Sequence, residues 1–366
     1  MKISISRDAI LNPLQMVNSV IERRQTLPIL SNVVVSVKNN TLSLTGTDLE
    51  VEMINHCNID NNEDGETTLP ARKLLDICKA LPESSNIEIL IDDERATLKS
   101  GKSRFSLSTL SPSEFPSIDA LISPFQFNIS QKVFKKLIDQ TQFCMAQQDV
   151  RYYLNGLMLE LSNNKIIAVA TDGHRLAYCE ADVSLSPGET RQVIIPRKAV
   201  NEISRLLEDT DEEIQISLSE NHIRINLTDV IFTSKLIDGK FPDYQQVIPQ
   251  KCQNEVKSSR DNLYQAFHRT SVLSNEKYRG MRLQLSENQL QATVHNPEQD
   301  EAEELIEVSY QGDDFEIGFN VAYLLDALSA IKSDEVVMQL TDSNHSCLLF
   351  GSDDINSKYV VMPMRL

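Results

Sequence analysis

Alternating and helical patterns of hydrophobic residues recur three times along the chain, at an interval of about 125 residues. In each copy an alternating segment leads through a serine into a helical pattern: KISISRDAILNPLQMVNSVI, FQFNISQKVFKKLIDQTQFCM and NEVKSSRDNLYQAFHRTSVLS. The three serines, Ser6, Ser130 and Ser259, are predicted N-caps, because a hydroxyl oxygen accepts a hydrogen bond from a free N–H group at a helix start. The repeat predicts three similar domains.

Each copy continues with alternating segments, a polar turn and a second helical pattern. The equivalent turns carry a carboxylate or an amide at intervals of 124 residues: Asp48, Asp172 and Asn296. The second helix is predicted to begin at Pro70, Pro196 and Asn320, where a missing N–H group is harmless. Further alternating segments predict antiparallel strands with one buried face. Each copy therefore comprises two β-α-β-β-β halves, and the predicted fold class is α+β with three tandem similar domains.

Two polar stretches that contain proline join one copy to the next, near Ser123 and Pro124 and near Pro249 to Lys251. They place the predicted domains at 1–124, 125–252 and 253–366.

Charge is distributed unevenly between the predicted helices and the rest of the chain. The chain has 35 Lys and Arg against 53 Asp and Glu, a formal charge of −18, which argues against a nucleic-acid partner for the surface as a whole. The six helical windows nevertheless sum to roughly +9, so the remainder carries about −27. With no zinc finger, no RNA-recognition motif and no Trp, a basic helical surface would contact phosphates without reading sequence.

No catalytic or cofactor motif is present, so the sequence does not predict an enzyme, a metal or a cofactor. The Asp and His of TDGHR at 171–175 are better explained by an Asp-Gly hairpin turn. Six scattered cysteines without metal or disulfide spacing are typical of reduced, buried thiols in the cytoplasm. The chain shows no secretory signal pattern and no apolar stretch of about 20 residues.

The chain resembles the bacterial β sliding clamps, the processivity subunits of replicative DNA polymerases. The resemblance covers the whole chain and rests on specific strings: TLPIL, LSLTGTDLE, PARKLLDICKALP, SRFSLSTL, QDVRYYLNG, ATDGHRLA, FTSKLIDGKFPDY, LSNEKYRG, NPEQDEAEE and YVVMPMRL. It implies a head-to-tail homodimeric ring with antiparallel sheets outside and helices lining a pore around double-stranded DNA. It also implies a clamp loader that opens the ring. The implied partners are the replicative DNA polymerase catalytic subunit, and other polymerases and repair and ligation proteins that carry a clamp-binding peptide. The expected location is the bacterial cytoplasm, at the nucleoid.

The resemblance also assigns residues to three sites. The DNA-facing residues are Arg24, Arg72, Gln148, Arg151, Tyr152, Tyr153, Lys198, Asn275 and Lys277. Since neighbouring residues at a strand start point to opposite faces, only one of Tyr152 and Tyr153 is expected to face the pore.

The pocket for partner peptides comprises Leu154, Thr171, Gly173, His174, Arg175, Leu176, Pro242, Val247, Asn320, Tyr323, Ser346, Val360, Met362, Pro363, Met364 and Arg365. Its composition suits an extended peptide with hydrophobic anchors. Asn344 and Gln246 depart from the family, which often has an apolar and a basic residue there, and are expected to shift partner preference.

The dimer interface comprises Lys102, Arg104, Phe105, Leu107, Val272, Leu273, Glu298, Asp300, Glu301, Glu303 and Glu304. Pairing of edge strands across the two chains would satisfy backbone groups that otherwise remain exposed. The alternative function is a repeat-built peptide-binding scaffold that never encircles DNA.

Overall fold

The computed structural model describes residues 1–22, 27–59, 63–92, 94–118, 121, 125–185, 190–250 and 254–365. Within them, six α-helices and 24 strands follow one another in six β-α-β-β-β halves, so the predicted α+β repeat is confirmed. The predicted boundaries at 124 and 252 lie outside the described residues.

The elements of the first copy are β1 (Lys2–Ser6), α1 (Arg7–Val20), β2 (Asn32–Lys38), β3 (Thr41–Thr47), β4 (Val51–Asn58), β5 (Gly65–Pro70), α2 (Ala71–Ala80), β6 (Asn86–Asp92), β7 (Arg95–Ser100) and β8 (Ser103–Ser108). Those of the second are β9 (Phe125–Ser130), α3 (Gln131–Asp139), β10 (Gly156–Ser162), β11 (Lys165–Thr171), β12 (Arg175–Asp182), β13 (Arg191–Pro196), α4 (Arg197–Leu206), β14 (Glu213–Leu218), β15 (His222–Asn226) and β16 (Val230–Lys235). Those of the third are β17 (Asn254–Ser259), α5 (Arg260–Ser271), β18 (Gly280–Ser286), β19 (Gln289–His295), β20 (Glu301–Glu307), β21 (Phe315–Asn320), α6 (Val321–Ala330), β22 (Glu335–Leu340), β23 (Cys347–Gly351) and β24 (Asp354–Val361).

Two compact units contain these elements: residues 1–131 with 210–236, and residues 132–209 with 237–366. The first unit holds a four-stranded sheet of order β1-β6-β7-β8 and an eight-stranded sheet of order β5-β2-β3-β4-β16-β15-β14-β9. Strand β4 pairs with β16 antiparallel, so the large sheet combines strands of the first and second copies.

The second unit repeats this arrangement. Its four-stranded sheet has the order β20-β19-β18-β21, and its eight-stranded sheet has the order β13-β10-β11-β12-β24-β23-β22-β17. Here β12 pairs with β24, the counterpart of the pairing between β4 and β16. The edges of the described small sheets are β1 and β8 in the first unit and β20 and β21 in the second. Of these, β8 is the counterpart of β16 and β24, and β20 is the counterpart of β4 and β12, which pair with one another inside the large sheets.

The apolar spacing of the helices determines which face they bury. In α1 the residues Ile10, Leu14 and Val17 recur every three or four positions and are fully buried. The Ser6 hydroxyl accepts a hydrogen bond from Ala9 N at 3.2 Å, and the Ser259 hydroxyl accepts one from Asn262 N at 3.4 Å. Two of the three predicted N-caps are thus confirmed, and Ser130 stays a prediction.

The equivalent polar turns have the same backbone design in the first two copies. The Asp48 carboxylate accepts hydrogen bonds from the backbone N–H groups of Glu50 and Val51. The Asp172 carboxylate accepts the same two bonds from His174 and Arg175. A side chain that caps its own turn is a local signal, which explains why the sequence alone locates these hairpins.

Within the described residues, no helix has the length and apolar character needed to cross a membrane. The same residues contain no group of three or more His, Cys, Asp or Glu side chains arranged to hold a metal ion.

Candidate binding pocket

A cavity of about 260 Å³ lies in the second unit, between the β11–β12 hairpin, the segment 241–247 and the last strand β24. Its lining is Arg151, Tyr153, Leu154, Thr171, Gly173, His174, Arg175, Leu176, Phe241, Pro242, Tyr244, Val247, Ser346, Val360 and Met362. Eleven of the sixteen predicted pocket residues are among them. The other five, Asn320, Tyr323, Pro363, Met364 and Arg365, lie outside the lining.

The floor of the cavity is apolar because two strands place buried side chains side by side. Leu176 on β12 is directly opposite Val360 on β24, and both are at most 2% exposed. Leu154 belongs to the same buried cluster. An apolar floor of this kind favours a ligand that contributes hydrophobic side chains.

The β11–β12 turn forms the rim of the cavity. Gly173 adopts φ of 88°, a backbone conformation that a residue with a Cβ atom rarely adopts. A Cβ atom at this position would lie 2.9 Å from the guanidinium nitrogens of Arg151. Glycine is therefore required by the turn, whereas the exposed end of the Arg151 side chain could move away from a Cβ atom.

Arg175 is fixed by partners on several elements, although its side chain lines the cavity. Its Nε donates to Asp172 at 3.1 Å and one terminal nitrogen donates to Asp326 on α6 at 2.5 Å. The other terminal nitrogen donates to the Phe143 carbonyl at 3.0 Å, and the guanidinium lies 4.5 Å from the centre of the Tyr323 ring. These bonds leave its side chain 12% exposed, so Arg175 shapes the pocket wall.

Tyr323 and Asn320 thus act from behind the cavity wall. Tyr323 supports the Arg175 guanidinium, and Asn320 caps α6 by accepting a hydrogen bond from Ala322 N at 2.9 Å. Burial is the main cause that raises the pKa of Tyr323, which keeps its hydroxyl neutral.

Arg151 lies at the mouth of the cavity and is 46% exposed. Two of its nitrogens contact the Asp149 carboxylate at 3.1 and 2.8 Å, and one also reaches the Asp172 carbonyl at 3.2 Å. The hydrogen bonds from Arg151 lower the pKa of Asp149 to about 2. The structure thus places a predicted DNA-facing residue against the predicted partner pocket.

Sequence reasoning did not assign Phe241 and Tyr244 to any site, and it assigned Tyr153 to DNA alone. Phe241 and Tyr244 are buried, and the Tyr244 ring lies 5.9 Å from that of Tyr178. The only signal in the sequence is the string FPDY, whose two aromatic residues flank Pro242.

The chain end is attached to the rim through its backbone. Met362 N donates to the His174 carbonyl at 3.0 Å and Met364 N donates to the Gly318 carbonyl at 2.8 Å. Met362 itself is 47% exposed and offers a flexible apolar surface. The Gln246 side chain donates to the Asp243 carboxylate, so this departure from the family stabilises its own exposed turn. At Asn344 it is the backbone N–H that donates to Asp342, a bond that does not depend on the asparagine side chain.

The expectation that Tyr152 and Tyr153 begin a strand is wrong. Residues Tyr152–Leu154 form a 3-10 turn, and the strand begins only at Gly156. Tyr152 is 57% exposed whereas Tyr153 is half-buried against the pocket cluster, and their rings pack edge to face at 5.8 Å. The two side chains still differ in direction, because the turn must bury Leu154 in the core.

The other predicted DNA-facing residues are distributed over several helices and turns. Arg72 on α2 is 60% exposed and pairs with Asp76, while Lys198 on α4 is half-buried. Lys277 is exposed over the Tyr278 ring, and the Asn275 side chain accepts the Lys277 and Tyr278 N–H groups. Gln148 is exposed with φ of 56°. Arg24 lies outside the described residues.

Most of the predicted interface residues lie on the edge strands β8 and β20 or in the turn that precedes each of them. Arg104, Phe105 and Leu107 belong to β8, and Lys102 lies in the turn before it; Leu107 is buried. Strand β20 contains Glu301, Glu303 and Glu304, and the turn before it contains Glu298 and Asp300. The last two interface residues, Val272 and Leu273, follow helix α5.

One edge is thus basic and the other acidic. Val272 is 72% exposed, as expected of a contact residue in an isolated chain. Glu304 is held within its own chain by Arg269, through bonds of 2.7 and 3.0 Å, and these bonds lower the pKa of Glu304.

Comparisons with known proteins identify one family over the whole length of the chain. Residues 1–119, 128–243 and 245–365 match, in order, the N-terminal, central and C-terminal domains of the DNA polymerase III beta subunit. The chain is 51% identical to the beta sliding clamp of Pseudomonas aeruginosa and 48% identical to that of Escherichia coli (strain K12), over all of each chain. The crystal structure of a Pseudomonas aeruginosa sliding clamp bound to griselimycin is similar over the whole of both chains, with 51% identity and a TM-score of 0.97.

Proposed function

The chain belongs to the DNA polymerase III beta subunit family, the beta sliding clamps, and from this premise we propose how its residues carry out clamp function. Clamps of this family are rings that encircle DNA and confer processivity on a polymerase. The chain is accordingly a sliding clamp, and its role is to hold other proteins on DNA.

We infer a head-to-tail dimer in which β8 of one chain pairs with β20 of the other. The observation that carries this proposal is the sheet topology. Each eight-stranded sheet joins a strand of one copy to a strand of another, through β4 with β16 and β12 with β24, and β8 and β20 are the strands left at equivalent edges. Pairing them would complete a third continuous sheet, with Lys102 and Arg104 facing the acidic residues of β20.

The proposed DNA contacts are Arg24, Arg72, Gln148, Lys198, Asn275 and Lys277, together with Arg151, Tyr152 and Tyr153. Helices α2, α3 and α4 each carry more Lys and Arg than Asp and Glu, which supports a phosphate-facing helical surface. The ring then needs no tight contact with any one phosphate, because a closed ring around DNA cannot leave it without opening.

The cavity of the second unit is the proposed docking site for the partner peptide. Its apolar floor and the exposed Met362 suit hydrophobic anchors, while Arg151 and His174 at the rim suit carbonyl or acidic groups. The proposed partners are the replicative polymerase, other polymerases and repair and ligation proteins with such a peptide, and a clamp loader that opens the ring.

The three proposed domains are 1–124, 125–252 and 253–366, and the proposed location is the bacterial cytoplasm, at the nucleoid. We propose no catalytic role for any residue of the chain.

The decisive experiment compares retention on nicked circular DNA with retention on the same DNA after linearisation. The variant Arg24→Ala, Lys198→Ala, Lys277→Ala should load poorly, and should still bind a partner peptide as the unaltered chain does. A matched variant that removes strand cations, Lys38→Ala, Lys235→Ala, Lys257→Ala, should load normally. Equal retention of the unaltered protein on circular and linear DNA would show a peptide-binding scaffold that does not encircle DNA.

A further inference from the structure

The two units contain equivalent rows of three residues that differ completely in chemistry. In the second unit, Leu176 lies opposite Val360, which lies opposite Leu348 on the next strand. In the first unit the row is Glu52, Thr233 and Arg224, on β4, β16 and β15. Glu52 and Leu176 are 124 residues apart, at the same place in the repeat.

A cavity of about 480 Å³ lies over this row in the first unit. The segment 112–118 forms one of its walls, as the segment 241–247 does in the second unit, and Phe115 precedes a proline as Phe241 does. The main lining residues are Glu52, Ile54, Glu66, Phe115, Arg224 and Ile231. The first unit thus holds a counterpart of the partner pocket.

The charged groups of this cavity have unused hydrogen-bonding capacity. Glu52 is 4% exposed, and its Oε2 accepts a hydrogen bond from Ile118 N at 3.1 Å. Its Oε1 has no hydrogen bond from any described residue. The Nε of Arg224 donates to the Thr233 hydroxyl at 3.0 Å, but its two terminal nitrogens have no hydrogen-bond acceptor in the described part of the chain.

A carboxylate as buried as that of Glu52 is costly to leave unpaired beside apolar walls. Arg224 is only half-buried, so this cost is smaller for its guanidinium. Burial is the main cause that raises the pKa of Glu52, while Ile118 N and the charge of Arg224 act in the opposite direction. A ligand that brings a cation to Glu52 would recover part of the cost of burying the carboxylate.

We propose that this cavity is a second peptide-docking site, which binds an extended segment that has a basic side chain next to an apolar one. The basic group pairs with Glu52 and Glu66, the apolar side chain packs on Ile54 and Phe115, and Arg224 donates to a backbone carbonyl. The cavity has two carboxylates and one guanidinium, so its charge favours a cationic ligand. A purely apolar anchor, of the kind suited to the second unit, is rejected because it leaves Glu52 unpaired. This proposal does not depend on the function proposed for the pocket of the second unit.

The test uses the full-length protein and a Phe-Lys-Leu amide that carries fluorescein on its N-terminal amine, so that the lysine stays charged. Binding is measured by fluorescence anisotropy at about 0.15 M salt, which screens the overall negative charge. Two matched probes replace the lysine by glutamate or by norleucine. The protein variants are Glu52→Leu, which installs the residue of the second unit, Phe115→Ala, which removes an apolar wall, and Glu83→Leu, which removes one exposed carboxylate elsewhere in the first unit.

We expect the lysine probe to bind the unaltered protein and the Glu83→Leu protein equally, and the glutamate probe to bind neither. Glu52→Leu should weaken the lysine probe at least about tenfold and strengthen the norleucine probe, which a merely structural role of Glu52 does not explain. Phe115→Ala should weaken the lysine probe because it removes an apolar wall of the cavity, and it keeps the test decisive should Glu52→Leu fail to fold. The proposal would be overturned if the lysine probe bound the Glu52→Leu and Phe115→Ala proteins as tightly as it binds the unaltered protein, or if it did not bind the unaltered protein at about 1 mM.

Discussion

Arg175 and Arg151 line the same pocket but should contribute very differently to stability. Arg175 is 12% exposed and bonds to two carboxylates and a carbonyl, whereas Arg151 is 46% exposed and pairs mainly with Asp149. Replacing Arg175 by alanine leaves the Asp172 carboxylate without its cationic partner, although its two backbone hydrogen bonds remain, and it removes the group that links β12 to α6. We therefore expect Arg175→Ala to destabilise the protein strongly and Arg151→Ala to have little effect.

The size of the effect follows from the contacts that are lost. Hydrogen bonds to charged groups contribute about 1.5–3 kcal/mol each, and a partly desolvated cation–π contact contributes about 1 kcal/mol. The carboxylate of Asp326 is 49% exposed, so its pair with Arg175 is screened by solvent and counts for less than the pair with Asp172. We expect a loss of about 3–5 kcal/mol in the free energy of unfolding for Arg175→Ala, against at most about 1 kcal/mol for Arg151→Ala.

Urea unfolding followed by far-ultraviolet circular dichroism measures this difference, since the chain has no Trp to report by fluorescence. Arg175→Lys should restore less than half of the loss, because an ammonium group cannot bond to Asp172, Asp326 and the Phe143 carbonyl in the fork geometry of a guanidinium. If Arg175→Ala loses less than about 1 kcal/mol, or no more than Arg151→Ala does, the structural role assigned to Arg175 is wrong.

Three further predictions concern the chain end, the dimer and the thiols. Deletion of residues 364–366 should weaken a partner peptide at least tenfold, about 1.4 kcal/mol, because it removes the bond from Met364 N to the Gly318 carbonyl that holds the segment beside Met362. Titration calorimetry measures this, and sedimentation should still show a dimer. Val272→Ala combined with Leu273→Ala should give folded monomers of about 41.3 kDa, since it removes two apolar contacts of the proposed interface; a sedimentation mass of twice that value would contradict the interface. In a folded Cys252→Ser variant, no thiol should react with Ellman's reagent within minutes at about pH 8. The reason is that burial is the main cause that raises the pKa of Cys57, Cys78 and Cys179 to about 11. Rapid labelling of this folded variant would contradict the prediction.

The sequence predicts the elements of this fold well because their signals are local. Serine N-caps, prolines at helix starts and turn carboxylates act on neighbouring backbone groups, and the three-fold repeat shows each signal more than once. The helix starts at Pro70, Pro196 and Asn320 follow from this, and each is the N-cap in the structure.

The contacts that complete the pocket are not local, and sequence reasoning could not supply them. Arg175 and Asp326 are 151 residues apart in sequence, and they meet because β12 pairs with β24, near α6. The roles of Phe241 and Tyr244 likewise depend on where the segment 241–247 crosses the sheet. The error at Tyr152 arose because the burial of Leu154 outweighed the alternating pattern.

The same reasoning explains how one repeat can hold two pockets of opposite character. The turn bonds of Asp48 and Asp172 fix the hairpins, and the hairpins fix the register, so Glu52 and Leu176 occupy equivalent positions whatever their side chains are. Register determines where a side chain lies, but it does not determine its charge. The change from Leu176, Val360 and Leu348 to Glu52, Thr233 and Arg224 therefore leaves the strand pairing at this row the same, and it changes which ligand the cavity over that row can bind.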